Sequence, residues 1–248
     1  MFKVVFKMEI RKLMLLSSSN VHGHEYLQYA AKDITEFLKR NGVTKILFIP
    51  YALLDRDAYY KKINDVFTKW GFQVDSAHNF DEPADAVADA QAFFVGGGNT
   101  FLLLRTLYEY NLIEAIRRRV LEDGAPYIGT SAGTNVATVS ICTTNDMPIV
   151  CPPSFDALKL VPFNINPHYM DADERSTHKG ETREERILQF CDVNANKKVL
   201  GMREGVHLHV ENGTATLKGF KSSRLFVKGQ EPKEIPSGTD VTFLLEEN

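Results

Sequence analysis

The chain has 248 residues, 44% of them hydrophobic and 25% charged, with a formal net charge of −3, a composition that supplies a sizeable globular core. It carries no basic stripe of the kind that marks a nucleic-acid surface, and no run near the roughly 18 consecutive apolar residues of a membrane span. Cys142, Cys151 and Cys191 are an odd number without metal-ligand spacing and read as reduced thiols, so a cytoplasmic setting is expected, without nucleic-acid or membrane partners.

Charges at Lys7, Glu9, Arg11 and Lys12 interrupt any apolar core of a secretory signal. Residues 1–11 read as an extension of unassigned role, ahead of a single α/β domain over 12–248. Short apolar runs then alternate with longer amphipathic stretches. Strands are predicted over 13–16, 45–50, 72–76, 92–95 and 127–128, and helices over 24–40, 57–70, 84–89 and 100–121. This alternation predicts parallel βαβ units in a doubly wound, mostly parallel sheet with helices on both faces. After about residue 140 the pattern changes. Residues 141–153 are loop-rich, a short strand is expected ahead of His168, and 176–190 are predicted as one charged helix. Short strands are then expected over 199–202, 206–210, 214–217, 223–227 and 239–245, an antiparallel C-terminal extension with a hairpin turn at Asn212-Gly213.

Gly129-Thr130-Ser131-Ala132-Gly133 follows one of the predicted strands and precedes a segment of small residues. In that context G-x-S-x-G is a nucleophile elbow, a turn too sharp for a Cβ at either glycine that lifts the serine hydroxyl clear of the sheet. Gly96-Gly97-Gly98-Asn99 closes another strand. The C-terminal ends of strands in such a sheet meet at one crevice, so the N–H groups of Gly98 and Ala132 are candidates for an oxyanion hole.

A serine nucleophile needs a base. Among seven histidines, His168 stands out, because the X-Pro segment Asn166-Pro167 holds it in a rigid, extended run. His22 and His24 follow the first strand and are candidates for lining a pocket, whereas His207 and His209 alternate on a hairpin strand and read as structural. His178 precedes a polar loop, residues 179–183, that opens a helix, and His78 has no distinguishing context. Asp146 and Glu204 are both candidates for the acid that orients the base. Arg183 suits bidentate carboxylate binding, although its spacing to Glu184 and Arg186 by itself favours a surface ion pair. No His/Asp/Glu set has zinc-ligand spacing, so neither a metal nor another cofactor is expected.

Taken together, Val95–Phe101, Tyr127–Gly133, Thr143–Val150, Phe155–Leu158, Ile165–His168 and His178–Glu184 resemble the peptidase E (aspartyl dipeptidase) family of serine peptidases, in the same order from about residue 12 onward. The resemblance implies a flavodoxin-like fold shared with class I glutamine amidotransferases, and metal-independent hydrolysis of dipeptides with N-terminal aspartate. It implies Ser131 as nucleophile, His168 as base, either Glu204 or Asp146 as the acid, and Arg183 as the partner of the substrate's aspartate side chain. The expected partners are small Asp-X peptides, acted on by a monomer or homodimer. The polar stretch 171–179 is a candidate lid. Two alternatives are a related hydrolase for another aspartyl substrate, as in cyanophycinases, and a catalytically silent binder of acidic small molecules. A general esterase fits less well, since its histidine would follow the acid in the chain.

Overall fold

Strand β1 (Leu13–Leu16) has no exposed residue. It pairs in parallel with one neighbour and antiparallel with the other, and its continuous apolar run fits a central strand covered on both faces. The structure is a computed structural model that describes residues 10–246 apart from Glu174 and His178. The expectations for residues 1–9 and for His178 lie outside the described residues.

After β1 come α1 (Ala31–Arg40), β2 (Lys45–Ile49), α2 (Arg56–Lys69), β3 (Gln73–Ser76), α3 (Pro83–Asp89), β4 (Phe93–Val95), α4 (Thr100–Glu109), α5 (Leu112–Leu121), β5 (Tyr127–Thr130) and α6 (Ala132–Val136). The second half holds β6 (Asn164–Asn166), α7 (Arg183–Val193), β7 (Val199–Met202), β8 (Val206–Glu211), β9 (Thr214–Gly219), β10 (Ser223–Phe226) and β11 (Lys233–Ile235). Seven strands form the main sheet in the order β3-β2-β4-β5-β1-β8-β9, and four form a second sheet in the order β11-β10-β7-β6. The first five strands of the main sheet are parallel, and β8 and β9 extend it antiparallel.

Period-two alternation sorts the side chains. Leu13, Leu15, Leu47, Ile49, Phe93 and Val95 face α4 and α5, packing with Leu103, Leu107 and Ile116. Met14, Leu16, Ile46, Phe48 and Phe94 face α1 and α2, packing with Ile34, Phe37, Ile63 and Phe67. A smaller cluster of Tyr169, Ile187, Cys191, Val199 and Phe226 seats α7 on the second sheet. Each fully buried side chain of this size contributes roughly 1.5–3 kcal/mol relative to exposure.

Four elements depart from the sequence expectation. The helix predicted from residue 24 begins only at Ala31, after a 3-10 turn over Gln28–Ala30, because Leu27 adopts a left-handed conformation (φ 59°). The helix predicted over 100–121 is broken at Asn111, also left-handed (φ 54°), a conformation that asparagine tolerates. The helix predicted from 176 starts at Arg183, where Thr182 and Glu185 form a reciprocal capping box. That Thr-x-x-Glu signature is present in the sequence. At the C-terminus, the strand predicted over 239–245 is a single bridge, Thr216 to Asp240, followed by a 3-10 turn over Thr242–Leu245. The Asp240 carboxylate accepts from the Thr242 N–H at 2.8 Å, which turns the chain away from the sheet edge.

Candidate active site

The C-terminal ends of β1, β2, β4 and β5 open onto one cavity of about 590 Å³. Ser19 and Asn20 come from the first end, Leu53 to Asp55 from the second, Gly97 and Gly98 from the third and Ser131 from the fourth. His168 closes one wall, and Tyr59 and Lys62 of α2 form another. Ligand sites in open α/β sheets lie at these strand ends.

Ser131 stands between β5 and α6 with φ 52° and ψ −107°, a backbone conformation that costs a non-glycine residue about 1–3 kcal/mol. Its N–H is held by the Leu16 carbonyl at 3.0 Å. Thr134 Oγ1 donates to the Leu16 and Gly129 carbonyls at 2.6 and 3.0 Å, which locks the turn from below. A Cβ on Gly129 would collide with the Gly133 carbonyl, and one on Gly133 with the Val95 carbonyl. The turn is therefore sterically closed to any larger residue at both ends of the motif.

His168 Nε2 lies 2.9 Å from Ser131 Oγ, and His168 Nδ1 lies 2.8 Å from Glu204 Oε1. The imidazole is reached by solvent along one edge (38% exposed). Its backbone is also left-handed, with φ 52°. Ser17, just past the end of β1, accepts from the His168 N–H at 2.9 Å and donates to the Met202 carbonyl at 2.7 Å. Asn145 Nδ2 donates to the Pro167 carbonyl at 2.6 Å, and Asn166 Nδ2 donates to Asn145 Oδ1 at 2.6 Å. The histidine is thus pinned from the residue before it and through its own amide. Neither Ser17 nor Asn145 was singled out from the sequence, since their partners are remote in the chain.

Asp146 is engaged elsewhere. Its carboxylate accepts from the Thr100 N–H at 2.7 Å, at the start of α4, a favourable place for negative charge. Asn99 caps the same helix by accepting from Leu102, and its Nδ2 donates to the Met147 carbonyl. The Asn145-Asp146-Met147 string thus ties the 141–153 loop to both α4 and the His168 segment. Of the two acids weighed from the sequence, Glu204 meets the imidazole and Asp146 meets a helix end.

Glu204 follows Arg203, whose guanidinium bonds Asp171 at 2.7 and 2.6 Å and Glu234 at 3.0 and 2.8 Å. It also lies over the Tyr169 ring at 5.3 Å. The hydrogen bonds from Arg203 hold the Asp171 and Glu234 carboxyls below the usual range. This cation, the residue before the glutamate, therefore packs against the residue after the histidine. A bidentate, multiply bonded guanidinium suits that task.

Gly98 (φ 138°) approaches the Ala52 carbonyl so closely that a Cβ would overlap it. The following N–H, of Asn99, donates to that carbonyl at 2.9 Å. Gly97 faces Ser131, its added Cβ falling 3.1 Å from the serine Cβ, and Tyr59 Oη donates to the Gly97 carbonyl at 3.1 Å. Ala132 opens α6, so its N–H precedes the first intrahelical acceptor.

Arg183 does not line the cavity. It is the first residue of α7, half-buried, and forms no ion pair among the described residues. Burial, then the charge of Arg186, pushes its guanidinium below the usual arginine range. The surface pair that its spacing allowed is not formed. Glu184 turns to Arg224 at 2.9 Å and to the Tyr169 hydroxyl at 3.2 Å, and Arg186 lies 3.8 Å from Glu181. The described residues of the 171–179 stretch, which precedes α7, form no helix or strand.

The remaining described histidines serve other contacts. His22 and His24 do not line the cavity, and His24 stacks on Phe220 at 5.9 Å. His78 bridges Ser76 and Asp57. His207 is buried on β8, 3.6 Å from Asp33, and His209 is 3.3 Å from Glu211.

A family model described as Peptidase family S51 matches residues 13–218. The chain belongs to peptidase family S51. Within this family, it is 50% identical over 236 residues to the Probable alpha-aspartyl dipeptidase of Drosophila melanogaster, covering 95% of this chain and 98% of the relative. It is 48% identical to the Peptidase E of Streptomyces coelicolor, covering 94% and 95%. Among solved structures, a peptidase from an acI-B1 Actinobacterium superposes with a TM-score of 0.69 at 17% identity, covering 95% of this chain and 98% of that one. The mostly parallel sheet with helices on both faces, expected from the strand–helix alternation, is the one observed. No helix among the described residues is long and apolar enough to cross a membrane.

Proposed function

We propose that this S51 peptidase is a serine dipeptidase that cleaves Asp-X substrates through an acyl-enzyme. The hydrogen-bonded chain from Ser131 Oγ through His168 to Glu204, at 2.9 and 2.8 Å, carries the reading. It supplies nucleophile, base and orienting acid within reach of one another. The names of the dipeptidase relatives support the substrate class.

In the first step His168 Nε2 takes the Ser131 proton as Oγ attacks the scissile carbonyl carbon. Negative charge collects on the carbonyl oxygen, where the N–H groups of Gly98 and Ala132 receive it. Glu204 fixes the proton-bearing nitrogen of the imidazole and stabilises the imidazolium. Collapse of the intermediate breaks the C–N bond, and His168 passes its proton to the departing amine. Water then attacks the ester with His168 again as base, which releases aspartate and restores Ser131. Donors in place before charge develops remove ~2.7–4 kcal/mol from the barrier per hydrogen bond. Arg183, half-buried and without a carboxylate partner among the described residues, is assigned the aspartate side chain on the family resemblance, although it lies outside the cavity of Ser131 and His168. The protein works as a soluble cytoplasmic enzyme, one α/β domain over 12–248.

The test is a hydrolysis panel of Asp-Leu, β-Asp-Leu, Asn-Leu and Ala-Leu with the purified full chain. Cleavage confined to Asp-Leu is the expected result. Preference for the β-linked peptide, or no turnover of any, overturns the proposal.

A further inference from the structure

An Asp-X dipeptide carries two carboxylates, one on the aspartate side chain and one at its C-terminus. Arg183 accounts for one and lies outside the cavity that holds Ser131 and His168. That cavity has a cation of its own. Lys62 projects from α2 into its wall, with Nζ 3.9 Å from the centre of the Tyr26 ring. Its neighbour Lys61 is paired with Asp65 at 2.9 Å, but Lys62 has no ion pair among the described residues. Asp55 is the one carboxylate among the residues lining the cavity. That carboxylate is committed to capping α2, accepting from the Ala58 N–H at 3.0 Å. Partial burial alone pushes Lys62 below the usual lysine range. Lys62 is thus an exposed ammonium resting on an aromatic face, without a carboxylate partner among the described residues, in a cavity containing a serine–histidine pair.

We propose that Lys62 binds the C-terminal carboxylate of the dipeptide, and that Leu53 and Leu54 take the side chain of its second residue. This inference rests on the Asp-X dipeptidase reading and adds to it the feature that limits the substrate to two residues. The assignment of the two carboxylates follows from the chemistry of the two cations. A guanidinium fork fixed at a helix start suits the aspartate side chain, which enters in one geometry. An ammonium on a four-carbon stem is a point charge that accepts a carboxylate from several directions. That latitude is needed where the second residue varies. Leu53 and Leu54, 42% and 84% exposed, give the same end of the cavity an apolar rim without a shape demanding one side chain. A longer peptide would place an uncharged amide, and further chain, where Lys62 expects a carboxylate.

The experiment compares Asp-Leu, which has the terminal carboxylate, with Asp-p-nitroanilide, which lacks it. In Lys62→Met, the ratio of kcat/KM for Asp-Leu to that for the anilide is expected to fall at least tenfold, with the loss in KM for Asp-Leu. Lys62→Arg is expected to recover most of the ratio. Wild-type enzyme is expected to prefer Asp-Leu to Asp-Leu amide by at least tenfold, a measurement that needs no variant to fold. A Lys62→Met enzyme with an unchanged ratio, or wild type indifferent to amidation, overturns the inference and leaves the dipeptidase reading standing. Wild type inactive on both Asp-Leu and the anilide overturns both.

Discussion

Ser131 and His168 are hydrogen-bonded at 2.9 Å, and both hold a positive φ of 52°. Non-glycine residues rarely adopt it. Here it is imposed from outside, on Ser131 by the Leu16 carbonyl and Thr134, and on His168 by Ser17 and the segment ending at Pro167. Two strained residues facing each other fit a pair whose geometry is set before any substrate arrives.

Removing the hydroxyl separates catalysis from folding. Ser131→Ala is expected to lose about 10⁴-fold or more in kcat while still binding Asp-Leu, measured by steady-state assay and calorimetry. Ser131→Gly, free of the positive-φ penalty, is expected to unfold at a higher temperature than Ser131→Ala. Retained turnover in either variant would exclude Ser131 as the nucleophile.

The two acids separate in the same way. Glu204→Gln keeps the shape but removes the charge facing His168 Nδ1. It is expected to lower kcat by roughly 10²–10⁴-fold with little change in Tm. Asp146→Ala strips an acceptor from the start of α4 and is expected to cost about 1 kcal/mol of stability, with a far smaller loss of kcat. The reverse ranking in kcat would make Asp146 the acid.

Arg183→Met should remove the distinction between Asp-Leu and Asn-Leu. Its unpaired guanidinium is expected to give about 10- to 100-fold in kcat/KM for the charged substrate, and Arg183→Lys is expected to restore only part of it. Unchanged selectivity in Arg183→Met would move the recognition of aspartate to another residue.

Stability should fall in acid through His207. Burial, opposed in part by Asp33, holds this imidazole well below its ordinary value, and burial lowers His209 in the same direction. An unfolded chain takes up a proton near pH ~6.5, whereas the folded chain resists until a lower pH. The unfolded state therefore binds more protons in that interval, and stability declines as pH drops below about 6.5. Tm measured from pH 8 to 5 is expected to fall more steeply for wild type than for His207→Gln. Parallel curves would exclude His207 as the source.

Much of this arrangement is legible in the chain itself, for definite reasons. The parallel strands are short apolar runs between amphipathic stretches, a local pattern that a core on both faces of a sheet enforces. The Ser131 elbow is legible because its steric demand falls on glycines two residues to either side. The late start of α7 was legible in the Thr182–Glu185 pair, where amphipathic periodicity alone extended the helix too far. The break at Asn111 and the turn before Ala31 were not, since each depends on a single residue whose φ is decided by its packing.

The sequence alone determined the alternation of elements, the turn that exposes Ser131 and the residue types available for acid–base work. Only the tertiary structure decided which carboxylate meets His168, because Glu204 lies 36 residues from it and Asp146 only 22. Separation along the chain carries no information about contact once strands pair across a sheet. Folding likewise decided that Asp146 meets a helix start, that Arg183 has no ion pair among the described residues and that Lys62 lines the cavity. Each outcome was settled by how separate elements pack.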